Sequence, residues 1–399
     1  MATNLTIVPL WCICKDWIER MKLAYVTVFG PSDIHAWSGL GVYVLSALES
    51  AGCQPETVGD LKYQCDFIYK AKEILYPRIF SKAYLMLWDP ILLKSFARQV
   101  ERALAATEYD MVFSIWTNPI AYLQIEKPIA FWGDATFAGL MDFYPHYSNL
   151  CAETIRGGNR AEQLALAKCR LAIYSSEWAA TTAIQHYDVD PAKVKVVPFG
   201  ANISANRDIQ HIHTILQNKR FEVCRLLFVG VDWLRKGGDI ALEVAGELNR
   251  RGIRTELHIV GCDPPGEMPG FVKAHGFVSK TSQAGRQILD DLFSQSHFLI
   301  LPSRADCTPV VFPEAGSFGL PSLASRAGGI PTVIRDGVNG QTFAVNEMPE
   351  AYCDYIERLW SSKQEYAQLA LSSFHEYEER LNWGTAGRTV SELLRECCP

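Results

Sequence analysis

Short apolar, β-branched runs alternate with longer amphipathic stretches along this chain, and few folds accommodate that rhythm. Leu23 to Phe29, Met111 to Ile115, Ile129 to Trp132 and Leu171 to Ser175 carry it in the first half. Arg225 to Val229, Glu256 to Val260, Phe298 to Leu301 and Pro321 to Ala324 carry it in the second, with helical patterns such as Asp239 to Arg251 between. Strands of a parallel sheet read this way because helices cover both faces and leave little room for polar side chains. The expected fold class is α/β, each half a doubly wound, Rossmann-like sheet. A chain of 399 residues exceeds one ordinary core and fits two domains facing a central cleft.

After Val196-Val197-Pro198-Phe199-Gly200-Ala201-Asn202 a polar stretch with few periodic apolar positions runs to Lys219, which puts the boundary near 203–220. The expected organisation is an extension over 1–20, a first domain over 21–203, a second over 204–370, and a helical tail over 371–399 packing back on the first. Met21 to Phe29 makes a complete opening strand, so residues 1–20 are expected to be dispensable.

Apolar residues make up 48% of the chain and charged ones 21%, the balance of a globular protein, and the net charge of -6 argues against nucleic acid as a partner. Twelve cysteines are scattered with no CxxC pair, so zinc spacing is lacking and reduced thiols in a cytoplasmic protein are expected. The apolar start has no basic residues before it and no small-residue cleavage pattern, and no stretch reaches transmembrane length.

In open α/β sheets ligands sit beyond the carboxyl ends of the strands, so the loops there are where chemistry is sought. Phe298 to Leu301 leads into Pro302-Ser303-Arg304-Ala305-Asp306-Cys307-Thr308-Pro309-Val310, and Glu314 follows. A helix capped by Thr308 with Pro309 in its first turn would aim free N–H groups at a diphosphate. Asp306 would then reach a sugar hydroxyl and Glu314 a ribose. Pro313 conflicts with a helix starting so early and calls for a later start or a kink. Taken alone, the two acids read more readily as a surface-loop acid and a solvated helix residue than as a binding pair.

The order of motifs points further. Phe228-Val229-Gly230 precedes Lys236-Gly237, then come Leu257-His258-Ile259-Val260-Gly261, the pair Asp306/Glu314, and Gly328-Gly329-Ile330-Pro331 before Asp336-Gly337-Val338-Asn339-Gly340. Together these resemble the retaining glycosyltransferases of family four, of GT-B fold, from about residue 170 to 345. The resemblance implies a hexosyltransferase that needs no metal and takes a UDP- or GDP-linked sugar as donor. Lys236 becomes a cation for the leaving diphosphate, with Gly230 and Gly237 in the same donor loop. Val231 stands where the family has arginine, and Arg235 supplies the second charge. Asp306 takes the place of the acid at the transferred sugar, one methylene shorter than the family's glutamate, and Glu314 that of the acid at the ribose; Thr308, Pro309 and Val310 lie along the donor. The leaving diphosphate itself accepts the proton of the nucleophile.

In the first half, Asp134 in Phe131-Trp132-Gly133-Asp134-Ala135-Thr136-Phe137 replaces a histidine that many members place near the donor sugar. It is a candidate for a hydroxyl contact, a base or a charge for a cationic transition state, or simply a helix cap. Gly39 and Gly41, in His35-Ala36-Trp37-Ser38-Gly39-Leu40-Gly41, would let backbone approach the donor. Residues 62–98 mix aromatic and basic side chains, suited to an acceptor ring, to weak peripheral contact with the cytoplasmic face of a membrane, or to plain burial as an amphipathic helix. The acceptor is expected to be a small molecule, a saccharide or a lipid-linked compound bound by the first domain. Two rivals stay open: a phosphorylase or synthase of the same architecture, and a binding protein that kept the fold without turnover.

Overall fold

The computed structural model describes residues 20–398 apart from 35, 65 and 204–206, so the extension over 1–20 lies almost wholly outside it. The first half runs β1 (Lys22–Val26), α1 (Leu40–Ser50), β2 (Gln54–Val58), α2 (Asp66–Phe80), α3 (Pro90–Leu104), β3 (Met111–Ser114) and β4 (Ile129–Gly133). It continues with α4 (Phe137–Leu140), α5 (Ala152–Lys168), β5 (Leu171–Tyr174), α6 (Glu177–Tyr187) and β6 (Val194–Val196). The second half opens with α7 (Ile209–Asn218), β7 (Cys224–Val229), α8 (Gly238–Arg250), β8 (Thr255–Val260), β9 (Val272–Ala274), α9 (Gln283–Gln295) and β10 (Phe298–Leu301). Next come α10 (Val311–Gly316), β11 (Ser322–Ser325), α11 (Ile330–Val333), β12 (Gly340–Phe343), α12 (Pro349–Trp360), α13 (Lys363–Arg380) and α14 (Trp383–Cys397).

Two parallel six-stranded sheets result, in the orders β2-β1-β3-β4-β5-β6 and β12-β11-β10-β7-β8-β9. In the first the chain reverses direction between β1 and β3, and in the second between β7 and β10, where Phe298 pairs with Leu226. The crevice that forms at such a reversal is the binding position of this architecture. The loops that border it are those after β1, β3, β7 and β10.

Central strands are apolar on both faces because both faces are covered. One side of the first sheet packs Val112, Phe131 and Tyr174 under Phe96 and Ala165, and the other packs Tyr25, Phe113 and Trp132 under Val44, Leu48 and Phe199. Trp132 and Phe199 are fully buried, each contributing roughly 1.5–3 kcal/mol. The tail divides: α13 joins the second core through Tyr366, Phe374 and Tyr377, whereas α14 returns to the first through Ala386, Val390 and Leu394. The crossing runs through 381–382, beyond position 371, because α13 continues to Arg380. Only glycine fits at 200 because Trp383 is packed against it; a Cβ there would stand 2.3 Å from the Trp383 nitrogen.

Candidate functional site

The loops after β7 and β10 lock onto each other. The Arg304 amide donates to the Arg235 carbonyl at 2.8 Å, and the Arg304 guanidinium forks onto both oxygens of Asp239 at 2.8 and 2.7 Å. Gly237 sits at φ +76°, and a Cβ on it would stand 2.2 Å from the Pro302 carbonyl, so close loop packing alone demands glycine there. Gly230 is covered by the Lys236 stem. These two glycines thus shape the loop that carries the cations.

With the loops locked, Lys236 forms an ion pair with Asp306 through Nζ and Oδ2. Arg235 donates to the Ala305 carbonyl at 3.0 Å, lies 4.0 Å from Asp306, and places its guanidinium 5.4 Å from the centre of the Tyr144 ring. Val231, where the resemblance calls for arginine, points largely to solvent. Below this loop Gly328 has φ +52° and lies under Asp306; a Cβ on it would reach 2.2 Å from the Asp306 carbonyl.

The helix after Asp306 starts later than Thr308. Val310 caps α10 without a side-chain bond, while the Thr308 hydroxyl donates to the Cys307 carbonyl at 2.6 Å and shares a 2.6 Å bond with Ser175. Pro313 explains the shift: as third helical residue it sits where backbone N–H groups have no intrahelical acceptor, so no bond is lost. With six residues α10 is too short to present a strong dipole, so a diphosphate here would rely on the fixed cations rather than on Thr308, Pro309 and Val310 as a helix start.

Glu314 is the fourth residue of α10 and is 0% exposed. Its Oε1 is ion-paired to Lys280, and Oε2 has no hydrogen-bond partner among the described residues. A buried carboxylate oxygen without a donor is costly, which makes it a strong acceptor for an incoming hydroxyl. Tyr43 of α1 faces it: burial first, then the Glu314 charge, raises the pKa of its phenol.

The first half supplies the opposite wall. Trp37 Nε1 donates to Asp134 Oδ2 at 3.0 Å, and burial pushes the Asp134 carboxyl up to about 6, the Trp37 bond opposing and the Asp306 charge assisting. Asp134 is not a helix cap, because Thr136 fills that role for α4 by accepting from the Gly139 amide at 3.1 Å. Trp37, Ser38 and Gly39 all have positive φ, of 48°, 55° and 75°. Such a run is strained and needs outside support. Asn202 gives it: its Nδ2 donates to the Ser38 carbonyl at 3.1 Å while its Oδ1 accepts from Trp383 Nε1 at 3.0 Å. Gly41 lies inside α1 with Ile115 against it and so serves packing. His35 of the same loop lies outside the described residues. Beside the loop a small cleft is lined by Tyr25, Phe29, Asp33, Trp37 and Ile115.

The halves meet at this place. The Cys307 amide donates to the Tyr144 hydroxyl at 3.0 Å, and the Glu177 amide donates to the Thr332 hydroxyl at 2.9 Å. Thr332, without a role in the sequence, is therefore a link between halves. Asp306, Lys236, Arg235 and Asp134 are brought together, with Glu314 on the adjoining helix. Trp37, Lys280, Asn202 and the Arg304–Asp239 fork were not legible as site residues. Trp37 lay in the glycine loop, but Lys280 sits 34 positions before Glu314 with no spacing to mark it.

Residues 224–362 match the family Glycosyl transferases group 1. A D-inositol 3-phosphate glycosyltransferase of Nocardiopsis dassonvillei is 26% identical over 228 residues, covering 53% of this chain and 51% of that protein. The chain spans about half the length of the first such curated relatives. Among solved structures, the sucrose-phosphate synthase of Thermosynechococcus elongatus superposes with a TM-score of 0.68 at 15% identity, covering 94% of this chain and 99% of that one. Anabaena HepE in complex with UDP-glucose gives 0.63 at 17% identity over 94% of this chain and 100% of its own. These likenesses give the fold, a GT-B pair of Rossmann-like domains.

Proposed function

Residues 224–362 being a group 1 glycosyltransferase domain within a GT-B fold, we propose that this chain transfers a hexose from a nucleoside diphosphate sugar to an acceptor hydroxyl, with retention of configuration and without a metal. The observation that carries this reading is the convergence of Lys236, Arg235 and Asp306 from one half with Asp134 and Trp37 from the other, next to the open oxygen of Glu314.

Each group has a distinct task. Glu314 Oε2 accepts from a ribose hydroxyl, while Lys280 holds the other oxygen in place. Lys236 exchanges Asp306 for the donor diphosphate, whose negative charge grows as the bond to the sugar breaks, and Arg235 assists. Asp306, freed of its cation, accepts from a sugar hydroxyl. Asp134, fixed by Trp37, faces the sugar from the first half. The acceptor oxygen bonds to the anomeric carbon as the carbon–oxygen bond to the diphosphate breaks, and the acceptor proton passes to a phosphate oxygen on the same face. No base behind the ring is then required.

HepE is recorded with UDP-glucose, which makes UDP-glucose the first donor to try. Proton NMR of the first product from an α-linked nucleotide sugar tests the reading: an α-linked product is expected. A β-linked product would overturn retention and make Asp134 an inverting base. Tight nucleotide binding with neither transfer nor hydrolysis would leave a binding protein instead.

A further inference from the structure

Helix α2 carries a second apolar side that faces outward. Its inner side mixes aromatic and polar groups: Tyr69 is buried in the first core, Lys72 pairs with Asp89 at 3.2 Å, and the Tyr76 hydroxyl donates to Glu153 at 2.6 Å. Tyr76 also stacks on Tyr84, with ring centres 5.4 Å apart. Its outer side is apolar, with Phe67 74% exposed, Ile79 63%, Ile74 51%, Leu75 49% and Ile68 44%. At 100° per residue these five fall in one arc of about 140°, a continuous stripe with no protein over it among the described residues. A soluble helix places such a stripe on its own core.

The surroundings of the stripe select what covers it. Between 66 and 82 the cations are Lys70, Lys72, Arg78 and Lys82 and the acids are Asp66 and Glu73, an excess of positive charge. Arg78 lies within the apolar arc at its far end, where a long stem can follow the apolar surface and keep the charge in the headgroup layer. Five half-exposed side chains of this size offer on the order of 500 Å², less than the roughly 800 Å² per partner of a stable protein interface. Two copies of the stripe would also bring cation against cation. No helix among the described residues is long and apolar enough to cross a membrane, so contact would be with the surface.

We propose that α2 lies in the interface of an anionic lipid bilayer, its apolar stripe inserted and Arg78 among the headgroups. The end of α2 is tied to the site: Asn149 donates to the Ser81 carbonyl at 2.6 Å and accepts from Lys82 at 2.7 Å, and Tyr144, which holds Cys307, is in the same loop. Lipid contact at α2 therefore sets the orientation of one wall of the cleft, whatever reaction the cleft performs.

Sedimentation of the full chain with phosphatidylcholine vesicles, with and without about a third phosphatidylglycerol, tests this. Binding is expected to the anionic vesicles and to fall with salt. Phe67→Ser with Ile79→Ser should weaken it roughly tenfold or more while leaving the melting temperature unchanged, because both side chains are exposed. Equal binding by the double variant would overturn the proposal, as would equal binding to neutral vesicles. Absence of vesicle binding would overturn it too; sedimentation velocity would then show whether a dimer lost in the double variant covers the stripe.

Discussion

The two halves build nearly the same sheet yet differ in how they hold the acids that face the cleft. In the second half each site carboxylate has a cation: Asp306 has Lys236, Glu314 has Lys280, and Asp239 has Arg304. In the first half Asp89 has Lys72, but Asp134 and Glu162 have only neutral donors. Asp134 rests on Trp37, and Glu162 on Thr117 at 3.0 Å and the Phe137 amide at 3.4 Å. Burial raises Glu162 to about 7, its hydrogen bonds opposing, as it raises Asp134 to about 6. A half that stocks fixed charges suits a diphosphate, and a half whose acids sit near neutrality suits hydroxyl groups. The contrast teaches that charge placement, more than fold, divides the labour.

Removing a second-half cation should have the largest effect. Lys236→Ala is expected to lower turnover by roughly 10²- to 10³-fold, as loss of a group that meets charge developing in the transition state does. Donor affinity should fall much less. Equal losses in single-turnover rate and donor affinity would show uniform binding and blunt the comparison.

Next in size, Glu314→Ala should weaken nucleotide binding by about 1–3 kcal/mol with the fold intact. Calorimetry with the nucleoside diphosphate reads this directly, and unchanged affinity would remove Glu314 from the donor site.

In the first half, Asp134→Asn keeps size and most hydrogen bonding, so turnover should drop only about tenfold. The native pH–rate profile should gain activity as pH rises through about 6, where Asp134 ionises, and the variant should lose that limb. A limb that persists would assign it to another group.

The last effect concerns stability alone. Glu162 is raised in the folded protein, so its contribution is fully present below about 4.5 and is lost as pH rises through about 7. Glu162→Gln should therefore flatten the fall in melting temperature between pH 5 and 8, by about 2 kcal/mol at pH 8. Identical pH curves for both proteins would show that burial is relieved by other means.

How much of this could be read in advance depended on position in the sheet. The eight strands evident from apolar runs are central or flanked by covered faces, as with Phe298 to Leu301. The four not evident, β2, β6, β9 and β12, are the edges of the two sheets. The sequence of β2 is Gln54-Pro55-Glu56-Thr57-Val58, mostly exposed, and a proline is tolerated because an edge has one free side. In the same way, the stretch over 62–98 proved to be two helices: α3 is the amphipathic one, with Phe96 fully buried, and α2 buries Tyr69 while exposing an apolar side.

Sequence by itself determined the fold class, the two-sheet plan and the acids and cations worth suspecting, because burial writes periodicity and loops after strands write motifs. Only tertiary structure decided their partners. Asp306 and Lys236 are 70 positions apart and Trp37 and Asp134 are 97 apart, and the pairings follow from the strand orders that bring β7 beside β10 in one sheet and β1 and β4 to either side of β3 in the other. Local propensity has no term for such distances. It also could not foresee that Thr308 would bond Ser175 of the other half instead of capping α10, since that choice belongs to contacts formed after both sheets exist.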